Sequence, residues 1–184
     1  PYQLDEFIFR YEKGDYIIQE LYAVGASVCT RTSCTEVLGL NEVVIKGNKS
    51  RTVHLNISLD DSFLQRFSGD GILVSTPAGS TAYNYSLGGS IVDPKLNLLQ
   101  ITPIAPMNTT AYRSFTSSVI VNPQTTIKVY PEYTFENSLL IITDGVEYQY
   151  NEITEISLKM SDVKAQLLRL RDYDFWNKVK EKFL

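Results

Sequence analysis

Gly69-Asp70-Gly71-Ile72-Leu73-Val74-Ser75-Thr76-Pro77-Ala78-Gly79-Ser80-Thr81-Ala82-Tyr83, running on to Ser86-Leu87-Gly88-Gly89, sets the reading of the whole 184-residue chain. Gly69-Asp70-Gly71 is a tight turn with one carboxylate. Ile72 to Val74 is a short apolar strand. Ser75 to Gly79 is a hydroxyl-rich turn bent by Pro77 and Gly79, and Ser80 or Thr81 is then expected to cap a short helix ending near Leu87. A turn that feeds a helix start presents unpaired backbone N–H groups and a positive dipole end. Ala78, Gly79 and Ala82 are small enough to let a ligand approach the backbone. Tyr83 and Tyr85 add aromatic surface that could cover a ring. Composition alone favours a plain strand, turn and capped helix; the density of hydroxyls and glycines around one carboxylate argues against it.

Outward from this run, the period of the apolar residues is mostly two. Val53, Leu55, Ile57 and Leu59 alternate with His54, Asn56 and Ser58, a half-buried strand with His54 on its solvent face. Upstream, Tyr16–Val24, Ser27–Arg31 and Glu36–Ile45 are rich in β-formers, and Gly47-Asn48-Lys49 reads as a turn. Asp60-Asp61 turns the chain into a strand over Ser62–Phe67. Downstream, strands are expected over Leu99–Ile104, Ser118–Val121, Thr125–Tyr130, Ser138–Thr143, Glu147–Tyr150, Ile153–Met160 and Val163–Leu170. Asn122-Pro123 and Asp144-Gly145 punctuate them. Apart from the short helix near Leu87, helical spacing falls at the two ends. Leu4, Phe7, Ile8 and Tyr11 form one amphipathic stripe closed by Gly14, and Asp174 opens a closing helix. Many short strands with few helices predict a mainly β protein with sheet packed on sheet.

The bulk numbers exclude several classes. A net charge of −4 and a pI near 5.1 are not a nucleic-acid footprint. No stretch is apolar for long enough to span a bilayer, so no membrane partner is expected. No signal peptide opens the chain, which begins with Pro1 rather than Met and so reads as trimmed. Cys29 and Cys34 are the two cysteines, with no second Cys or His cluster beside them. That argues against a zinc site; the spacing leaves a bridge open, and in a cytoplasmic protein two free thiols are expected.

Residues 69–89 resemble the NAD kinase family, whose pattern is close to GDG-hydrophobic-x-V-S-T-P-T/S-G-S/T-T-A-Y followed by S-x-G-G. An Asn-Glu pair ending a strand is present as Asn41-Glu42, and a late Asp-Gly as Asp144-Gly145. The resemblance implies an all-β dinucleotide-binding domain over residues 15–184, with residues 1–14 as the last helix of a preceding α/β domain. It implies phosphoryl transfer from ATP or polyphosphate, with a divalent cation such as Mg²⁺, to the adenosine 2′-hydroxyl of NAD, giving NADP. Asn41 and Glu42 would read the adenosine, lined by Thr81, Ala82 and Ser86, with Tyr83 packed on the dinucleotide. Asp70, Ala105 and Met107 would reach a neighbouring subunit's nicotinamide end in a dimer or tetramer. Asp144 would belong to the same site. The residues alone also allow a turn asparagine at Asn41, a core tyrosine at Tyr83, and turn aspartates at Asp70 and Asp144.

The chain departs from the family at three points. The catalytic Gly-Gly-Asp-Gly motif is not among these residues and is expected upstream of Pro1. Ala78 stands where relatives carry Thr or Ser, and Thr110 where close relatives often carry Arg, while Arg113 is kept. Two other readings stay open: a non-catalytic dinucleotide-binding or assembly module, and a lipid kinase of the same broader fold group.

Overall fold

Alternating apolar residues build strands wherever a strand has one face to bury. The computed structural model describes residues 2–133 and 138–183. Among them, twelve strands form two six-stranded antiparallel sheets. The strands are β1 (Tyr16–Thr30), β2 (Cys34–Gly39), β3 (Glu42–Gly47), β4 (Val53–Leu59), β5 (Ser62–Gly69), β6 (Gly71–Ser75), β7 (Leu99–Ile104), β8 (Val119–Val121), β9 (Ile127–Pro131), β10 (Leu139–Thr143), β11 (Val146–Tyr150) and β12 (Ile153–Leu170). The first sheet runs β2-β1-β12-β9-β4-β5, and the second β11-β10-β3-β6-β7-β8.

The core lies between the sheets. Val24 and Ala26 of β1, Leu55 and Ile57 of β4, Phe67 of β5 and Ile156 of β12 meet Val43, Ile45, Ile72, Val74, Ile101 and Ile141 of the second sheet in one buried cluster. Each buried aliphatic side chain contributes about 1.5–3 kcal/mol. The second sheet is also covered on its outer face, where Val44, Leu73 and Ile104 form a second cluster with Leu87 and Ile142 against it. Burial on both faces explains why β3, β6 and β7 read as near-continuous apolar runs.

By compactness, residues Tyr22–Val163 form the larger unit, and Pro1–Leu21 with Lys164–Leu184 the smaller. The smaller unit carries helix α1 (Tyr2–Glu12), closed by Gly14 at φ +70°, and a C-terminal helix, Phe175–Phe183. Asp174 caps the latter: its Oδ1 accepts the N–H groups of Trp176 and Asn177. Arg10 pairs with Asp15 at 2.7 Å and Asp172 at 2.9 Å.

Several boundaries differ from the expected ones. Tyr16–Val24 and Ser27–Arg31 are one strand, because Gly25-Ala26 stays in register with Val37-Leu38 of β2. Ile153–Met160 and Val163–Leu170 are likewise one 18-residue strand. Glu36–Ile45 is two strands, broken at Leu40-Asn41. Cys29 and Cys34 are not free thiols. They face one another across the β1–β2 hairpin and form a disulfide. A hairpin that sets two cysteines opposite each other brings their sulfurs within bonding reach, which spacing alone did not reveal. His54 is half-buried rather than fully solvent-facing, its ring against those of Tyr112 and Tyr133.

Candidate functional site

The break at Leu40-Asn41 is the centre of the site. Asp144 sits at the tip of the β10–β11 hairpin at φ +47°, followed by Gly145 at φ +87°, a tight turn that suits the twist of its strands. Its carboxylate accepts three backbone N–H groups: Leu40 at 2.6 Å, Asn41 at 2.8 Å and Glu42 at 3.3 Å. From the other side, Thr76 donates its hydroxyl to the Leu40 carbonyl at 2.7 Å and its N–H to the Asn41 carbonyl at 2.9 Å. The same hydroxyl accepts the Gly79 N–H at 3.2 Å. Gly79 lies flat on this turn, and a Cβ there would stand 2.0 Å from the Asn41 oxygen. The Asn41 backbone is therefore clamped from two directions, with its side chain left to make contacts of its own.

Glu42 is the electrostatically unusual group. Only 7% of it is exposed, and its Oε2 is buried with no hydrogen-bond partner among the described residues. Burial, with the Asp144 charge nearby, pushes its carboxyl up to about 7. An orphaned carboxyl oxygen beside a clamped asparagine is an acceptor awaiting a donor.

The segment after Thr76 folds differently from the expected capped helix. It is a 3₁₀ turn, Ala78–Thr81, followed by one helical turn, α2 (Tyr83–Ser86), and neither Ser80 nor Thr81 caps it. Ser80 is buried and spends its hydroxyl on the backbone of Val92, accepting its N–H at 3.0 Å. Asn84, fully buried, fastens the turn to the sheet. Its Oδ1 accepts the Thr102 hydroxyl at 2.6 Å, and its Nδ2 donates to the carbonyls of Ser80 and Ser90. Gln100 accepts the Ser90 N–H at 2.7 Å and donates to the Ser90 carbonyl at 3.1 Å. Gly89 lies against the Asn84 side chain, leaving no room for a Cβ. Asn84, Gln100, Thr102 and Thr76 are thus positioning residues that sequence reading did not single out. The signal was present in Asn84 between two tyrosines and in the Gly88-Gly89 pair.

With the turn fastened this way, Thr81 and Ala82 are half-buried two and three residues on from Gly79, and Tyr83 and Ser86 are exposed. Tyr83 is not a core tyrosine. Asn41, Glu42, Asp144 and the Thr81–Ser86 segment therefore gather at one end of β6. Asp70, Ala105 and Met107 gather at the other. Asp70 donates its N–H to the Ile104 carbonyl at 2.9 Å, and Met107 donates to Ser68 at 2.8 Å. Ser114 locks this corner, its hydroxyl accepting the Ser68 N–H at 3.0 Å. The five residues of β6 separate the two groups by about 17 Å.

Residues 40–170 match the model of the ATP-NAD kinase C-terminal domain. The chain belongs to the NAD kinase family. It is 36% identical over 186 residues to the NAD kinase of Finegoldia magna, covering 98% of this chain and 68% of that protein. It is 35% identical over 149 residues to the NAD kinase of Lactobacillus johnsonii, covering 81% of this chain and 55% of the relative. The fold is shared with yeast NADH kinase complexed with NADH, at a TM-score of 0.84 and 21% identity, over 98% of this chain and 52% of that one. It is also shared with an NAD kinase from Archaeoglobus fulgidus in complex with ATP, at a TM-score of 0.74 and 24% identity, over 95% of this chain and 64% of that one. Against these two bacterial relatives the chain spans 55% to 68% of their length.

Proposed function

We propose that this chain is the dinucleotide-binding part of an NAD kinase, which transfers a phosphoryl group from ATP, or from polyphosphate, to the adenosine 2′-hydroxyl of NAD. The observation that carries the reading is the clamped Asn41-Glu42 turn, held by Asp144, Thr76 and Gly79 beside the Thr81-Ala82 backbone. Asn41 offers both a donor and an acceptor, the pattern that an adenine edge requires. The orphaned Glu42 oxygen accepts a ribose hydroxyl. Tyr83, exposed on α2, covers the dinucleotide, and Ser86 completes that wall. Asp144 acts through the backbone, since its oxygens are already engaged by three N–H groups.

Among the described residues no group of three His, Cys, Asp or Glu side chains is placed to hold a metal ion. A Mg²⁺ ion in phosphoryl transfer is held largely by substrate phosphates and water rather than by an all-protein cage, and no step is assigned to one. In the same proposal Asp70, Ala105 and Met107, set about 17 Å from the adenosine end, serve a neighbouring subunit's nicotinamide end in a homo-oligomer. A cytoplasmic setting is part of this reading. Among the described residues no helix is long and apolar enough to cross a membrane.

The test is calorimetric titration of NAD and NADP. Asn41→Ala leaves partners in the cleft unmatched, which costs about 1–3 kcal/mol, or roughly 5- to 150-fold in affinity. Unchanged affinity in a folded variant removes Asn41 from the site and, with it, the adenosine reading.

A further inference from the structure

The loop from β3 to β4 encloses a concavity that the dinucleotide reading does not use. Gly47, Asn48, Lys49, Arg51, Thr52, Val53 and Ser138 line about 280 Å³. That is room for several water molecules, and so for a phosphoryl group. The lining is one-sided in charge. Lys49 and Arg51 are exposed and make no ion pair among the described residues, and no described carboxylate lines the pocket. Elsewhere Arg10, Lys128 and Lys164 are each held by a carboxylate.

The loop's shape brings the two cations to the same concavity. Asn48–Ser50 is a single 3₁₀ turn, with Lys49 itself in the left-handed region at φ +57°. Gly47 is pressed onto the Arg51 carbonyl so closely that a Cβ would stand 2.0 Å away. Three neutral groups lie beside the cations. Asn48 donates to the Ser138 hydroxyl at 3.4 Å, Ser138 donates on to Asn151 at 2.8 Å, and among the described residues the Thr52 hydroxyl has only a sulfur, that of Met107 at 3.9 Å, as its partner. A guanidinium fork, an ammonium and a hydroxyl with a weak partner form a set suited to a phosphoryl oxyanion.

We propose that this pocket binds a phosphoryl oxyanion, carried either by a nucleotide or by free inorganic phosphate chains. An anion there would sit beside the second residue group, since Gly47 donates its N–H to the Asp70 carbonyl and Thr52 touches Met107. The proposal rests on the pocket alone and stands whether or not Asn41 reads adenosine.

The test uses the 184-residue chain at about 50 mM salt, where exposed charges are weakly screened. Inorganic tripolyphosphate is titrated into the parent, into a Lys49→Gln, Arg51→Gln double variant, and into a charge-matched Lys95→Gln, Lys180→Gln control. Circular dichroism checks that each is folded. The expected result is saturable binding that falls at least tenfold in the double variant and is kept in the control. Competition by NADP or ATP, lost in the double variant, assigns the anion to a nucleotide. Tripolyphosphate binding without such competition assigns it to a free phosphate chain. Either outcome supports the site. No saturable binding by the parent, or equal loss in the control, overturns it.

Discussion

At the scale of single residues, Glu42 carries the most specific consequence. Its carboxyl is raised from an ordinary 4.5 to about 7 because the charged form is buried without a partner and faces Asp144. The native state therefore holds a proton that the unfolded chain releases at lower pH. The resulting stabilisation is fully present below about pH 4.5 and is gone once the pH has risen through about 7. A shift of this size corresponds to about 3 kcal/mol. Glu42→Gln, neutral at every pH, is expected to remove this slope. Urea unfolding at pH 5 and pH 8 should show the parent losing about 2–3 kcal/mol more than the variant over that interval; parallel losses would mean that Glu42 titrates normally. Binding should follow the opposite sense. If the ionised oxygen accepts a ribose hydroxyl, NAD affinity rises with pH through about 7 in the parent and is flat in Glu42→Gln. Asn41 and Glu42 were legible as residues, through their pairing at a strand end. What was not legible was the lack of a partner for Oε2, because burial of one carboxyl oxygen depends on the tertiary packing around the turn.

At the scale of elements, alternation made most of the strands readable, and the turns at Asp60-Asp61 and Asp144-Gly145 fall where left-handed residues are needed. The segment after β6 was read less well, for a physical reason. Serine and threonine before a helix are ordinary caps, yet here Ser80 is buried and committed to Val92, so Thr76 takes over the role on the Gly79 N–H. Sequence spacing cannot show which hydroxyl faces the sheet. The two cysteines illustrate the same limit: five positions apart, they reveal nothing until the hairpin register sets them opposite each other. Gly79 joins the misread turn to the site. Gly79→Ala forces a methyl into the Asn41 carbonyl, both backbone-anchored, so the turn must move. Overpacking of this kind costs about 1–3 kcal/mol. Thermal melting should show a lowered midpoint, and NAD titration a loss of affinity larger than that of Ser86→Ala, which removes one hydroxyl from the proposed wall and leaves the turn in place. A Gly79→Ala variant that melts and binds like the parent would mean the turn is not tightly packed against Asn41.

At the scale of the molecule, the proposed reading makes every candidate residue a binding or positioning group. Asp70 lies about 17 Å along β6 from the adenosine end, and Asp144 is occupied by three backbone N–H groups. Glu42 is the remaining acid beside the proposed ribose, and its raised carboxyl is half-ionised near neutrality, as a proton acceptor would be. In the proposed reading its role is to accept a hydrogen bond, and the general base is the aspartate of a Gly-Gly-Asp-Gly segment that the family resemblance implies and that is not among these residues. The two assignments separate in one assay: NADP formation from NAD and ATP with Mg²⁺, by the 184-residue chain and by a chain extended through that segment. Loss of a general base costs about 10²- to 10⁴-fold in rate, and loss of the facing half of a cleft removes positioning as well. The expected outcome is dinucleotide binding by both chains and turnover by the extended one alone. Glu42→Gln in the extended chain should then weaken NAD binding without abolishing turnover. Comparable turnover by the two chains, abolished by Glu42→Gln in each, would make Glu42 the base and return the ribose contact to Asn41.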